Sequence, residues 1–142
     1  GRDNELGISL HSDRGSQPAY KVGETLKVHL FPTKSVVSYC YYEDATTNIV
    51  RIFPNKFTPN SILNGNQKFP LAQNGFKIQF DRPGVERIAC VSSDKIMRVP
   101  ETLAGFQDFQ KIPNFSIERI LLEYAKSNPE VKQTSMRIMV ME

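Results

Sequence analysis

The chain has no tryptophan, two cysteines (Cys40 and Cys90) and two histidines (His11 and His29) among its 142 residues. Each scarcity narrows the chemistry. The spacing of these four residues matches no C-x-x-C or H-x-x-x-H pattern, so a zinc site built from them has no signature. Charge of one sign is barely in excess: 18 basic against 15 acidic residues leave +3, too little and too scattered for nucleic-acid binding. No apolar run approaches the ~20 residues that span a bilayer. The start, Gly1-Arg2-Asp3-Asn4, lacks an apolar signal core. The sequence therefore reads as the mature or excised part of a longer chain, whose missing portion would carry any signal or lipid anchor. Glycines do not gather ahead of a helix, so no phosphate cradle is expected. Asn64-Gly65-Asn66 and Asn74-Gly75 lie between strands and read as turns.

What is present is β-rich. Nine Phe and five Tyr in a chain of this length suit one strand-built domain, 1–142. Leu6, Ile8 and Leu10 alternate with Gly7, Ser9 and His11 as a first strand. Tyr20 to Leu26 reads as a turn into a second strand, where Leu26, Val28 and Leu30 face one way and Lys27 and His29 the other. Val36–Tyr42 is aromatic and β-branched, and returns through Glu43–Asn48 to Ile49–Phe53. A loop-like stretch from Pro54 to Gln67 precedes a short edge strand, 67–71, where Pro70 cannot donate to a ladder. Residues 76–80 alternate, turn at Asp81-Arg82-Pro83-Gly84 and form a hairpin with 85–91. Composition shifts after Ser93. A short helix is expected within 100–109. Ser116–Ser127 carries a helical period at Ile117, Ile120, Leu121 and Tyr124, with Ser116 as N-cap, an Arg119–Glu123 pair and Asn128-Pro129 as the stop. Met136, Ile138 and Val140 mark a last strand, which needs an early partner: the first strand or its neighbour. Together these elements predict a mainly β, immunoglobulin-like antiparallel sandwich with one or two short helices near the C-terminus.

Constellations that suggest chemistry have simpler readings. His11-Ser12-Asp13 are adjacent, whereas catalytic triads are assembled in space. Cys40 as nucleophile with His29 as base would need an exposed thiol of lowered pKa, yet Cys40 lies among tyrosines on a strand. Glu43 and Asp44 sit side by side on a loop, without the separation across a cleft that glycosidic chemistry needs. Met136, Met139 and Met141 cannot all face one metal from alternating positions. Asn114-Phe115-Ser116 fits a glycosylation sequon. Cys40 and Cys90 remain open between a disulfide and a pair of buried thiols. Tyr39 and Tyr41 share a strand face and Tyr42 takes the other, which leaves open a core role or an exposed aromatic surface.

Several blocks carry a resemblance. Tyr20-Lys21-Val22-Gly23-Glu24, then Ser38 to Asp44, then Ile49-Val50-Arg51-Ile52-Phe53-Pro54-Asn55-Lys56-Phe57, with Asn74-Gly75-Phe76 and Asp81 to Cys90, resemble a bacterial domain-of-unknown-function family. The likeness covers residues 20–92, between an opening strand and loop (1–19) and a helical segment with a final strand (93–142). It implies a small β-sandwich appended to larger proteins, often envelope lipoproteins and secretion-associated proteins, sometimes kinases or caspase-like peptidases. It implies no catalytic residues and no cofactor. The envelope context favours a Cys40–Cys90 bridge and the periplasm or outer-membrane surroundings. The expected activity is non-catalytic protein–protein contact or scaffolding, with no nucleic acid and no membrane insertion. The surface would be Tyr41, Tyr42, Arg51, Asn55, Lys56 and Phe57, with the loop on to Asn66 and charge from Arg82. The alternative is a glycan or peptidoglycan-binding module using exposed tyrosines.

Overall fold

The computed structural model describes residues 5–142; the reading of Gly1–Asn4 lies outside them. Among the described residues, apolar residues form nine strands, β1 (Ile8–Ser12), β2 (Ala19–Lys21), β3 (Val28–Pro32), β4 (Val36–Glu43), β5 (Ile49–Phe53), β6 (Ile62–Leu63), β7 (Phe69–Pro70), β8 (Gly84–Ser93) and β9 (Lys132–Met141). Two helices, α1 (Glu101–Ala104) and α2 (Ile117–Ser127), lie between β8 and β9. A small sheet runs β1-β3-β7 and a large one β2-β9-β8-β4-β5, with β6 also on β4. The expected mainly β, immunoglobulin-like sandwich with one or two short helices near the C-terminus is present, with two helices, and its ladders are antiparallel except where β2 joins β9.

Two apolar layers hold it together. Between the sheets lie Tyr20, Leu30, Cys40, Tyr42, Phe53, Phe80, Ile88, Cys90 and Ile138 with their neighbours. On the outer face of the large sheet, Tyr41, Ala89 and Val91 pack under Ile117, Ile120 and Tyr124 of α2. The strand β4 is thus buried on both faces. An aliphatic row from a strand and the apolar stripe of a helix remove water together, and each fully buried large side chain contributes about 1.5–3 kcal/mol. At the centre of the outer layer the Tyr41 and Tyr124 hydroxyls meet at 2.6 Å. Burial pushes the Tyr41 phenol up to about 12, and burial followed by the proximity of Tyr41 raises Tyr124 as well.

The helix α2 forms as its period requires. Ser116 Oγ accepts from the Arg119 N–H at 3.1 Å, and Ile117, Ile120 and Tyr124 are its buried residues. At its end, Asn128 Nδ2 donates to the carbonyls of Tyr124 (3.1 Å) and Arg98 (2.8 Å), while Asn128 Oδ1 accepts from the Arg98 N–H (2.7 Å). The Arg119–Glu123 pair is not made. Arg119 lies over the Phe115 ring at 4.5 Å, and Glu123 accepts from Thr102 Oγ1 at 2.9 Å.

Other departures concern long-range pairing. The last strand, β9, pairs antiparallel with β8 and parallel with β2, a strand hidden in what reads as a turn; β1 lies in the opposite sheet. Residues 76–80 form no hairpin with β8, whose partners are β4 and β9. They run along Gly23–Leu26 instead, through Leu26 N–H to the Ile78 carbonyl (2.9 Å) and Phe80 N–H to the Glu24 carbonyl (3.0 Å). The stretch 54–67 includes β6, and the first helix is confined to Glu101–Ala104. The short edge strand with Pro70 is β7, at the margin of the small sheet.

Candidate docking surface around Phe57

Ladder register starts the site. Along β4 and β5, Cys40 faces Phe53 but Tyr41 faces Arg51, so Ile52 is an extra residue in the ladder. Such a bulge bends a strand and re-aims its side chains. Here it lets Ile52 and Phe53 both enter the inter-sheet core. Arg51 is left on the outer side, where its Nε donates to the Pro54 carbonyl (3.0 Å) and Nη1 to the Phe106 carbonyl (3.3 Å).

The chain then reverses at Pro54-Asn55, beginning with a cis Phe53–Pro54 bond. Asn55 is buried and organises the corner. Its Nδ2 donates to the Ile52 carbonyl at 2.7 Å, and its Oδ1 accepts from the N–H groups of Phe57 (2.8 Å) and Thr58 (3.0 Å). Asparagine suits this because one amide supplies donor and acceptor to nearby backbone.

The corner delivers Phe57 to the surface, 46% exposed. Its ring stacks on Phe76 (6.4 Å, 19°) and meets Phe109 at 6.4 Å, while Phe76 and Phe109 meet edge-on at 4.9 Å. Gly75 lies directly beneath: with φ +96°, a Cβ there would come within 2.3 Å of the Phe57 ring. Glycine is required both by the backbone angle and by the closeness of the ring. Lys56 Nζ stands 5.2 Å from the Phe57 ring centroid, and the Lys56 N–H donates to Asp108 Oδ2 at 2.7 Å. Phe109 has φ 60°, unusual for a bulky residue. Its N–H bonds the Arg51 carbonyl at 3.0 Å, and the Ile112 N–H bonds the Ile49 carbonyl at 2.9 Å. The stretch 106–112 therefore caps the outer edge of β5, which would otherwise offer free carbonyls. Beyond Thr58, a shallow hollow of about 320 Å³ is lined by Asn60, Ile62, Gln67 and Phe69.

Of the six residues expected to form the surface, two are at it. Lys56 and Phe57 are exposed. Tyr41 and Tyr42 are buried at 2% and 7% exposure, because the helix covers one face of β4 and the small sheet the other. This corrects their reading as an exposed aromatic platform. Asn55 and Arg51 serve the corner from within. Arg82 stays in its own turn beside Asp81, at 3.6 Å. Phe76, Asp108 and Phe109 join the site unforeseen. Phe76 reads as an ordinary half-buried strand residue, and nothing in the local pattern at 106–109 announces its arrival at Phe57.

The remaining constellations have structural roles. Cys40 and Cys90, register partners on β4 and β8, are joined as a disulfide within the large sheet. Asp44 Oδ1 accepts from the N–H groups of Thr46 (2.9 Å) and Asn48 (3.0 Å) and so closes the β4–β5 turn. Among the described residues no group of three or more His, Cys, Asp or Glu is placed to hold a metal ion. None of the described helices is long and apolar enough to cross a membrane.

A family model matches the stretch that carries Arg51 to Phe76, without Asp108 and Phe109. The family model described as "Domain of unknown function (DUF4384)" matches residues 19–95. No curated protein matches the chain. Among solved structures, the chain is similar to the CARDB domain of the PF1109 protein from Pyrococcus furiosus, crystallised in complex with di-metal ions. That similarity has a TM-score of 0.39 and 10% identity, over 96% of this chain and 92% of that one. With its match running through more than half its length, from β2 past the end of β8, the chain belongs to the DUF4384 family of domains of unknown function.

Proposed function

We propose that this domain, acting as one unit over 1–142, is a non-catalytic protein-interaction module that docks a partner on the Phe57 corner. The observation that carries this is a half-exposed phenylalanine held rigidly by Gly75, Phe76 and Phe109 above a corner braced by Asn55 and Arg51. Aromatic residues are enriched at interfaces, and a preorganised one loses little side-chain entropy on binding. The glycan alternative loses its basis with the burial of Tyr41 and Tyr42. The Cys40–Cys90 bridge is compatible with an oxidising compartment, so the partner is sought in the cell envelope or secretion machinery.

Affinity capture from the native host, comparing the wild type with Phe57→Ser and Lys56→Glu, tests this reading. A partner held by the wild type is expected to be lost from Phe57→Ser by about tenfold or more, equivalent to about 1.4 kcal/mol, with the unfolding midpoint unchanged. Retention of the same partners by both variants would refute it.

A further inference from the structure

Away from that corner, the two histidines of the chain face each other. His11 on β1 and His29 on β3 are register partners on the solvent side of the small sheet. Their ring centroids are 5.2 Å apart with planes 21° from parallel. A tetrahedral cation with metal–nitrogen bonds of about 2.0–2.1 Å would set two ligating imidazoles with centroids about 5 Å apart. The backbone supplies that spacing, and the rings, stacked as they stand, need only turn about their side-chain bonds to aim one nitrogen each at a shared ion. Ser9, on the same face of β1, has its Oγ 2.7 Å from His11 Nε2. With Nε2–H donating to this hydroxyl, His11 Nδ1 keeps its lone pair, the outer-shell arrangement that orients metal-bound histidines. Among the described residues no hydrogen bond engages either ring nitrogen of His29.

We propose that His11 and His29 form a two-histidine site for a divalent transition cation of the Zn²⁺ type, with water completing the coordination. Imidazole is a ligand suited to such ions, and only the neutral ring binds. Burial, followed by the proximity of His11 and Lys68, lowers the pKa of His29. The charged groups around the pair are Lys68, and then Lys27 and Asp13, which line a hollow of about 450 Å³ beside His29. Lys68 repels a cation, so it weakens the site without blocking it. The site makes no use of Cys40 or Cys90, whose thiols are consumed in the bridge.

Calorimetric titration of the oxidised chain with Zn²⁺ at about pH 7.5 tests the assignment. One equivalent is expected to bind. His11→Gln and His29→Gln are each expected to weaken it by roughly tenfold or more, the least that losing a ligand should cost when losing an outer-shell partner costs 10–100-fold. Lys68→Ala should tighten it. As the chain has two histidines, Zn²⁺ must shift both sets of imidazole NMR resonances in the wild type, a readout that needs no variant to fold. Absence of binding to the wild type, shifts at one ring alone, or equal binding by the glutamine variants would overturn the proposal.

Discussion

Replacing Asn55 by alanine tests whether the Pro54-Asn55 corner is architecture. The side chain is 4% exposed and makes one bond as donor and two to backbone N–H groups as acceptor. Truncation leaves the Ile52 carbonyl without its partner beside a buried residue, which costs about 1–3 kcal/mol. The Phe57 and Thr58 N–H groups lie at more exposed residues and can turn to water. Each then loses only the net value of a hydrogen bond, about 0.5–1 kcal/mol. The sum is about 2–5 kcal/mol. For a chain of this size each kcal/mol corresponds to roughly 2–4 °C, so the melting temperature should fall by about 4–20 °C. Urea unfolding followed by far-ultraviolet circular dichroism gives the free energy, and the slope with denaturant should not change. Lys56→Ala, one residue on and exposed, serves as the control and should stay within about 0.5 kcal/mol. A loss below about 0.5 kcal/mol for Asn55→Ala would refute the reasoning, since the corner would then be held by other contacts.

Opening the Cys40–Cys90 bridge, by paired alanine substitution, frees a loop of 50 residues and should cost about 4 kcal/mol on the chain-entropy account; a urea midpoint equal to that of the oxidised wild type would contradict it. Tyr124→Phe leaves the Tyr41 hydroxyl buried without its partner and should cost about 1–3 kcal/mol, which thermal unfolding at neutral pH would read. Because folding raises the Tyr41 pKa from 10 to about 12, the unfolded chain loses this proton first. Stability should therefore fall as pH rises from 10 towards 12, and tyrosinate absorbance showing all five tyrosines titrating normally would exclude this. At the acid end, hydrogen bonds from Arg14 and from the Lys21 N–H hold the Glu24 carboxyl down at about 2. The unfolded state takes up this proton first, so stability should decline as pH falls from 4.5 towards 2, and an NMR titration placing Glu24 at an ordinary value would refute it.

Local patterning made most of the secondary structure legible. Alternation defined β1, β3 and β5, aromatic and β-branched content defined β4, and the helical period with its Ser116 cap and Asn128 stop defined α2, because these features depend on near neighbours. Pairing over distance was not legible. Ala19–Lys21 is short enough to pass for a turn, and its partner Val140 lies at the other end of the chain. The burial of Tyr41 and Tyr42 was hidden for the same reason: a strand covered on both faces lacks the one-sided pattern that alternation reveals, and its second cover comes from α2. The corner was legible as a block, since Pro54-Asn55 signals a turn, but the aromatic contacts that expose and brace Phe57 come from residues 76 and 109. The disulfide needed the register of β4 on β8, which no spacing in sequence supplies.

The arrangement of β8 has a practical consequence for anyone dissecting this protein. The strand lies between β4, which precedes it, and β9, which arrives some forty residues later. A fragment cut at the borders of the family match, 19–95, would keep β8 but lose its β9 neighbour and the helix above Ala89 and Val91. It would present a bare ladder edge next to an uncovered greasy face, the combination that drives strands of different molecules together. In this molecule the portion that is recognisable by likeness is smaller than the portion that must be synthesised for it to stay in solution.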